Sequence, residues 1–296
     1  MPRRKAVVRV PATSANLGPG FDCMGMALDL WATVTVEADE TFVPPPESQI
    51  AELVRLAARS LYVAAGIEAP RGLSVRWEGD VPVARGLGAS ACARVGGLLA
   101  ANALCGDPLD REKLLALGTD LEGHGDNIAP ALFGGLQVVA QDGDRLLHVS
   151  VPLPPRLKAV FIVPEMAMPT DESRQLLPEE LPLKDAVHNI SRAALLVAAL
   201  AAGRLDLLDA ATQDRLHQPA RARLFPAMEA VFAAARGAGA LAAYLSGGGS
   251  TVLALTVDNE QSIADAMTQA AASAGFESTA FVAVPSAKGA EVESIE

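Results

Sequence analysis

Three clusters in this sequence join chemically capable residue types to a useful spacing. The first is Pro82-Val-Ala-Arg85-Gly86-Leu87-Gly88-Ala89-Ser90-Ala91, followed at once by a helical run of small residues. Gly86 and Gly88 let a backbone come close to a ligand, and Ser90 stands where the helix would begin. A glycine loop entering a helix presents unpaired N–H groups and the positive end of the helix dipole, which together form an anion site. The usual anion there is a phosphate, so a bound nucleotide is expected. The second cluster is Glu122-Gly-His124-Gly-Asp126-Asn127, with two carboxylates, a histidine and an amide side by side. Asp126 is its natural candidate for a general base. A helix end with a histidine on its dipole, or a plain Asp-Asn turn, would leave the same letters. The third cluster is Pro11-Ala-Thr-Ser-Ala-Asn16-Leu-Gly18-Pro-Gly20-Phe-Asp22, a polar loop after the first strand that could equally be a surface turn.

The first loop admits several accounts. A Walker A loop needs a lysine before a serine or threonine, and no glycine here precedes such a pair. A Rossmann turn needs its glycines directly after a strand. The letters Gly86-x-Gly88-x-x-Ala91 fit, but Glu78-Gly79-Asp80-Val81-Pro82 separates them from the strand expected over residues 73–77. A third account is a lysine-free loop that holds phosphate through backbone amides, a serine and a metal ion. A fourth is a glycine turn before a helix whose small residues, Ala91, Ala93, Gly96, Gly97, Ala100 and Ala101, serve only close packing.

The elements that must position these clusters follow from periodicity. Strands are expected over 6–10, 31–38, 73–77, 136–140, 145–149, 158–163, 240–245, 251–257 and 278–284. Helices are expected over 48–66, from the glycine loop to 104, and over 111–122, 184–202, 204–212, 226–236 and 260–274. The proline-rich stretch 151–155 divides the chain into domains of residues 1–155 and 156–296. The second half reads as a split βαβ pattern, an antiparallel sheet backed by helices. Residues 164–183 form a polar, proline-rich loop that suits function better than core.

Composition narrows the partners. Half of the 296 residues are hydrophobic and only 4% aromatic, so the core is aliphatic. A net charge of −11 speaks against a broad nucleic-acid or acidic-membrane surface, and means that phosphate must be held locally. Three cysteines without metal spacing suit a reduced, cytoplasmic protein. No apolar run is long enough to span a membrane, and the basic start lacks the apolar stretch of a signal peptide. Thr170 and Arg174 in the long loop, Arg221 and Arg223 near Pro219, and the second glycine loop Ser246-Gly247-Gly248-Gly249-Ser250-Thr251 complete the inventory. Arginines of this kind are most often solvated, and a glycine loop between strands is often a plain hairpin.

Taken together, the lysine-free Gly-Leu-Gly-x-Ser-Ala loop, the early Ser-Ala-Asn-Leu-Gly-Pro-Gly-Phe-Asp and the late Ser-Gly-x-Gly resemble the GHMP kinases. Residues 11–22 and the run from Glu122 to Pro130 are most similar to the homoserine kinases. The resemblance implies an α+β, two-domain fold: a ribosomal-S5-like N-terminal domain and a ferredoxin-like C-terminal domain, often dimeric. It implies ATP and Mg²⁺ as cofactors and L-homoserine as substrate, for threonine biosynthesis. Pro82, Arg85, Gly86, Leu87, Gly88, Ala89, Ser90 and Ala91 would wrap the phosphates, supported by Gly247, Gly248 and Gly249. Ser90 and Glu122 would hold the metal, and Asp126 would act as base or orient the hydroxyl. Asn16, Asp22, His124, Asn127 and Thr170 would line the amino-acid pocket, with Arg174 and Arg221 clamping its carboxylate. The chain departs from the family pattern at Ala89, Gly125 and Ser250. A kinase for another small alcohol, or a non-catalytic binder on the same scaffold, stays open on these letters.

Overall fold

The computed structural model describes residues 4–44, 48–143 and 145–296. In chain order the first half runs β1 (Lys5–Ala15), β2 (Met24–Asp39), α1 (Gln49–Ala65), β3 (Gly72–Gly79), α2 (Ala89–Leu104), α3 (Arg111–Glu122), α4 (Ile128–Phe133), β4 (Leu136–Asp142) and β5 (Arg145–Val151). The second half runs β6 (Lys158–Pro164), α5 (Thr170–Gln175), α6 (Leu183–Ala201), a 3-10 turn (Leu205–Leu207), α7 (Leu208–Ala211), α8 (Gln218–Arg221), α9 (Met228–Gly237), β7 (Ala242–Leu245), β8 (Val252–Thr256), α10 (Glu260–Ser273), β9 (Ser278–Ala283) and β10 (Glu291–Ile295). Two sheets result, and every pairing in them is antiparallel. One has the order β10-β1-β2-β4-β5, with β3 also on β2; the other has the order β7-β8-β6-β9.

Most expected elements stand within a few residues of their anticipated bounds. The expected helix over 204–212 is instead a 3-10 turn and the short α7. The loop expected over 164–183 contains α5, and α4, α8 and β10 are additional. β10 crosses back to pair with β1, so the first sheet uses both ends of the chain.

The small residues in α2 do serve close packing. A Cβ on Gly96 would sit 2.5 Å from Val34 of β2, and one on Gly97 2.3 Å from the Val54 carbonyl of α1. Those two glycines let α2 lie between the sheet and α1, which brings its N-terminus to the end of β1. α3 begins with Asp110, whose carboxylate accepts a bond from the Lys113 amide at 2.9 Å, and it stops at Gly123. Glu122 is therefore delivered at a helix end beside α2.

The second sheet is covered on both faces, as its period-two pattern requires. Val160, Ile162, Val252 and Ala254 pack with Val231 and Phe232 of α9 and Ile263 and Met267 of α10. The alternating residues Ala159, Phe161, Leu253 and Leu255 join the main core, which also takes Leu196 and Leu200 from α6. Among the described residues, no helix is long and apolar enough to cross a membrane. All three cysteines are free thiols.

Candidate active site

A cleft of about 630 Å³ opens where the two sheets' loops meet, lined from both halves of the chain. At one end lies the first glycine loop. Gly86 and Gly88 have φ of +77° and +67°, backbone that favours glycine. The contacts are as demanding as the angles. A Cβ on Gly86 would lie 2.1 Å from the Ser246 carbonyl, and one on Gly88 1.9 Å from Thr13 Oγ1. The first helical bond of α2 runs from the Cys92 amide to the Gly88 carbonyl. Among the described residues the amides of Ala89, Ser90 and Ala91 have no hydrogen-bond acceptor, an arrangement that can receive an anion.

Side chains of the expected phosphate loop divide. Arg85, Gly86, Gly88, Ala89 and Ser90 line the cleft; Leu87 and Ala91 are buried in the core and offer only backbone. Pro82 lies off the cleft wall. Arg85 turns its guanidinium to the carbonyls of Pro164 (3.0 Å) and Glu165 (2.5 Å), which ties the loop to the end of β6.

Ser90 Oγ donates to Glu122 Oε1 at 2.5 Å, and the other Glu122 oxygen is ion-paired with Arg94, one turn further along α2. The serine and the carboxylate thus present hard oxygen donors at one point, the donor set a magnesium ion takes.

At the other end the side chains are charged. Asp126 accepts from Asn127 Nδ2 at 3.3 Å and lies 2.5 Å from His124 Nδ1; both contacts use Oδ1 and leave Oδ2 free of them. Burial works against charge on His124, yet the bond to Asp126 and the charges of Asp126 and Glu122 raise its pKa above the usual value. Asn127 is fixed in turn by Thr13 Oγ1 at 2.7 Å. Asn16 accepts from the Asp22 amide and donates to the Gly247 carbonyl at 3.1 Å. Asp22 receives both terminal nitrogens of Arg174, at 3.0 and 2.6 Å. Donor atoms of Asp22, His124 and Asp126 all lie within 4.8 Å of one another, a cation-attracting group.

Arg221 is different. It is 1% exposed, and among the described residues it has no carboxylate partner. One nitrogen, Nη1, meets His217 Nδ1 at 2.8 Å and the Gly247 carbonyl at 3.0 Å, while Nε has no partner among the described residues. Burial and the Arg174 charge push its pKa down to about 10. A buried guanidinium without an anion is costly unless a ligand supplies one, and Arg221 lines the cleft.

Gly247 and Gly248 reach the cleft and Gly249 does not. Their loop is a junction between the two halves of the chain, and it supports the first glycine loop as a neighbour. The Gly247 carbonyl holds Asn16 and Arg221, the Gly248 carbonyl accepts from Ser173, and the Ser246 hydroxyl lies 2.7 Å from the Gly86 carbonyl. Thr170 begins α5, but its side chain lies outside the described residues. Arg223, the remaining arginine of the inventory, does not line the cleft.

Sequence reasoning missed Phe21, whose ring lies 5.3 Å from the Arg174 guanidinium and 5.5 Å from that of Arg221. It missed Arg94 and His217 as well. Each stands four residues from a chosen residue, Ser90 and Arg221, and that helical spacing was the available signal. It also missed the cleft wall from α1, made by Gln49, Ile50, Glu52 and Leu53.

Comparison with known proteins agrees with this geometry. The family described as GHMP kinases N terminal domain matches residues 51–135, and GHMP kinases C terminal matches residues 196–274. A homoserine kinase of Moorella thermoacetica is 44% identical, over 97% of this chain and 99% of that protein. The crystal structure of a homoserine kinase from Cytophaga hutchinsonii superposes with a TM-score of 0.87 at 30% identity, covering 97% of each chain. An L. major mevalonate kinase crystallised with R-mevalonate shares the fold, with a TM-score of 0.65 at 17% identity over 96% of each chain. The glycine loop on α2, the Glu122–Asn127 cluster and the arginine-lined far wall therefore sit on a scaffold whose relatives share nearly its whole length, and the chain belongs to the GHMP kinases, within the homoserine kinase family.

Proposed function

We propose that this chain transfers the γ-phosphoryl group of ATP to the side-chain hydroxyl of L-homoserine, giving ADP and O-phospho-L-homoserine. The observation that carries the reading is the far wall of the cleft. Arg174 and Arg221 both lie over Phe21, beside the carboxylate of Asp22. Two guanidiniums and an acid match the carboxylate and ammonium of an α-amino acid, and a sugar would leave them unused. Homoserine would exchange the internal Asp22–Arg174 pair for its own two charges.

The adenine would lie against Ile50, Leu53 and Val83, the apolar part of the wall. Its phosphates would take the amides of Ala89, Ser90 and Ala91. Ser90 Oγ and Glu122 Oε1 would hold Mg²⁺, with Arg94 fixing the opposite Glu122 oxygen. When bound, that ion offsets the charge on the phosphate oxygens. The acceptor oxygen bonds to the γ-phosphorus as the bond to the bridging oxygen breaks, and ADP departs. Asp126, held by His124 and Asn127 through Oδ1, has Oδ2 for the acceptor hydroxyl and takes or orients its proton.

A coupled ADP-release assay across homoserine, threonine, serine, mevalonate and galactose tests the reading. Homoserine should give the highest kcat/KM. Comparable turnover of mevalonate or galactose, or no ADP with any acceptor, would overturn it. Asp126→Asn should lower kcat by about 10²-fold or more if the carboxylate is the base. Near-normal turnover would reduce Asp126 to an orienting role.

A further inference from the structure

Among the described residues Arg221 is held by neutral acceptors, His217 Nδ1 and the Gly247 carbonyl, although it is a buried cation. We infer that His217 is a positioning residue that aims the Arg221 guanidinium at the substrate carboxylate while leaving its charge unspent. The inference rests on the reading of Arg221 given under Proposed function.

The imidazole's two bonds fix its state. His217 Nε2 lies 2.8 Å from the Gly18 carbonyl. A carbonyl only accepts, so Nε2 carries the proton. Nδ1 then has a free lone pair, and it accepts from Arg221 Nη1 at 2.8 Å. His217 is fully buried, and burial holds its pKa below the usual value against the pull of the Asp214 carboxylate, 3.7 Å from Nε2, which favours this neutral tautomer. A carboxylate in the same place would give equally good geometry. It would also neutralise Arg221 and compete with the incoming substrate. The imidazole supplies the direction without the charge.

The imidazole is itself well anchored. The Asp214 carboxylate accepts the amides of Leu216 (2.9 Å), His217 (3.0 Å) and Gln218 (2.7 Å), together with Asn189 Nδ2 from α6 (2.6 Å). Phe21 packs 5.5 Å from the imidazole centroid and also lies under both arginines. The Gly18 bond ties the assembly to the loop after β1, which carries Asn16 and Asp22. Bond by bond, the two charged ends of the amino-acid pocket are linked through His217.

Three variants test this: His217→Asn, His217→Asp and His217→Phe, with Arg221→Lys as reference. Asn and Asp have the same shape and differ in charge. Each is assayed for homoserine KM, ATP KM and inhibition by 3-aminopropan-1-ol, which is homoserine without its carboxylate. His217→Phe should raise homoserine KM about 10-fold or more, the cost of losing a charge-assisted hydrogen bond. His217→Asn should recover most of that loss. His217→Asp should resemble His217→Phe because it neutralises Arg221. ATP KM and the amino-alcohol inhibition constant should stay within about twofold in all three, since both ligands lack the carboxylate. Equal behaviour of the Asn and Asp variants would overturn the inference, as would a parallel rise in ATP KM or in the amino-alcohol constant. If His217→Phe does not fold, the Asn and Asp pair decides alone. An unchanged homoserine KM in Arg221→Lys would instead remove the reading of Arg221 itself. A raised KM there beside an unaffected His217→Asp would remove only the role of His217.

Discussion

The two ends of the cleft bind charge by opposite means. At the proposed phosphate end the groups aimed at the anion are amides at the start of α2, fixed by glycine geometry and a buried helix, beside the Ser90–Glu122–Arg94 cluster. At the proposed amino-acid end the binding groups are five side chains from four places in the chain: Asp22, His124 with Asp126, Arg174 and Arg221. Backbone dipoles cannot titrate, move little and carry no net charge. Ionised side chains can titrate, can exchange partners and must be neutralised by something when the substrate is away. Asp22 and Arg174 neutralise each other, whereas among the described residues Arg221 has neutral acceptors only. On the proposed reading, one end stays ready and the other changes its pairing when homoserine binds.

The largest test of that contrast attacks the backbone. Gly86→Ala places a Cβ 2.1 Å from the Ser246 carbonyl at φ +77°. The left-handed conformation alone costs an L-residue about 1–2 kcal/mol, and a backbone oxygen cannot rotate aside. The variant should show a lower Tm by several degrees and a rise in ATP KM of about 10-fold or more. A normal ATP KM with an impaired homoserine KM would reverse the assignment of the two ends.

A smaller and more selective effect is expected at the exchangeable pair. The side chains of Arg174 and Asp22 are each 33% exposed, so their mutual attraction stabilises the fold by at most about 1 kcal/mol. Arg174→Met should leave Tm within a degree or two by thermal denaturation. Homoserine KM should rise about 10- to 100-fold, because a fork of charge-assisted bonds to a carboxylate is lost. ATP KM should hold. A large drop in Tm would make the pair structural and weaken the contrast.

The same division explains what the sequence disclosed. Gly86, Gly88 and Ser90 were legible because backbone anion sites require local glycine and a helix start, and both are written in consecutive letters. The cluster from Glu122 to Asn127 was legible for the same reason. Arg221 could be named only from the family pattern, since nothing local separates a buried arginine from a solvated one. His217 and Phe21 gain their meaning from three-dimensional contacts with Arg221 and Arg174. In the fold, α2 and α3 were plain from spacing and caps. β10 was not: its residues are largely exposed on a sheet edge, so they carry no strong period, and its partner β1 lies at the other end of the chain. The short α8 was hidden likewise, because four residues give no periodicity to read.

The smallest expected effect is a titration, and its sign follows from His124. The pair with Asp126 raises the histidine's folded pKa above its unfolded value of about 6.5. Protonated His124 therefore contributes stability fully below that unfolded value, and the contribution is lost as pH rises through the folded pKa. Urea denaturation should show the wild type losing midpoint relative to His124→Asn as pH is raised from about 6 to 8, within a single smooth step. The same step should appear in homoserine KM, because His124 governs how Asp126 is held, and Arg174 and Glu122 add their charges to the same field. ATP KM should show no matching step over that range beyond the nucleotide's own titration, because amides at a helix start have no proton to lose there. A histidine-dependent step in ATP KM would mean that the charged end reaches across the cleft to the phosphates, and the two ends would then have to be treated as one electrostatic unit.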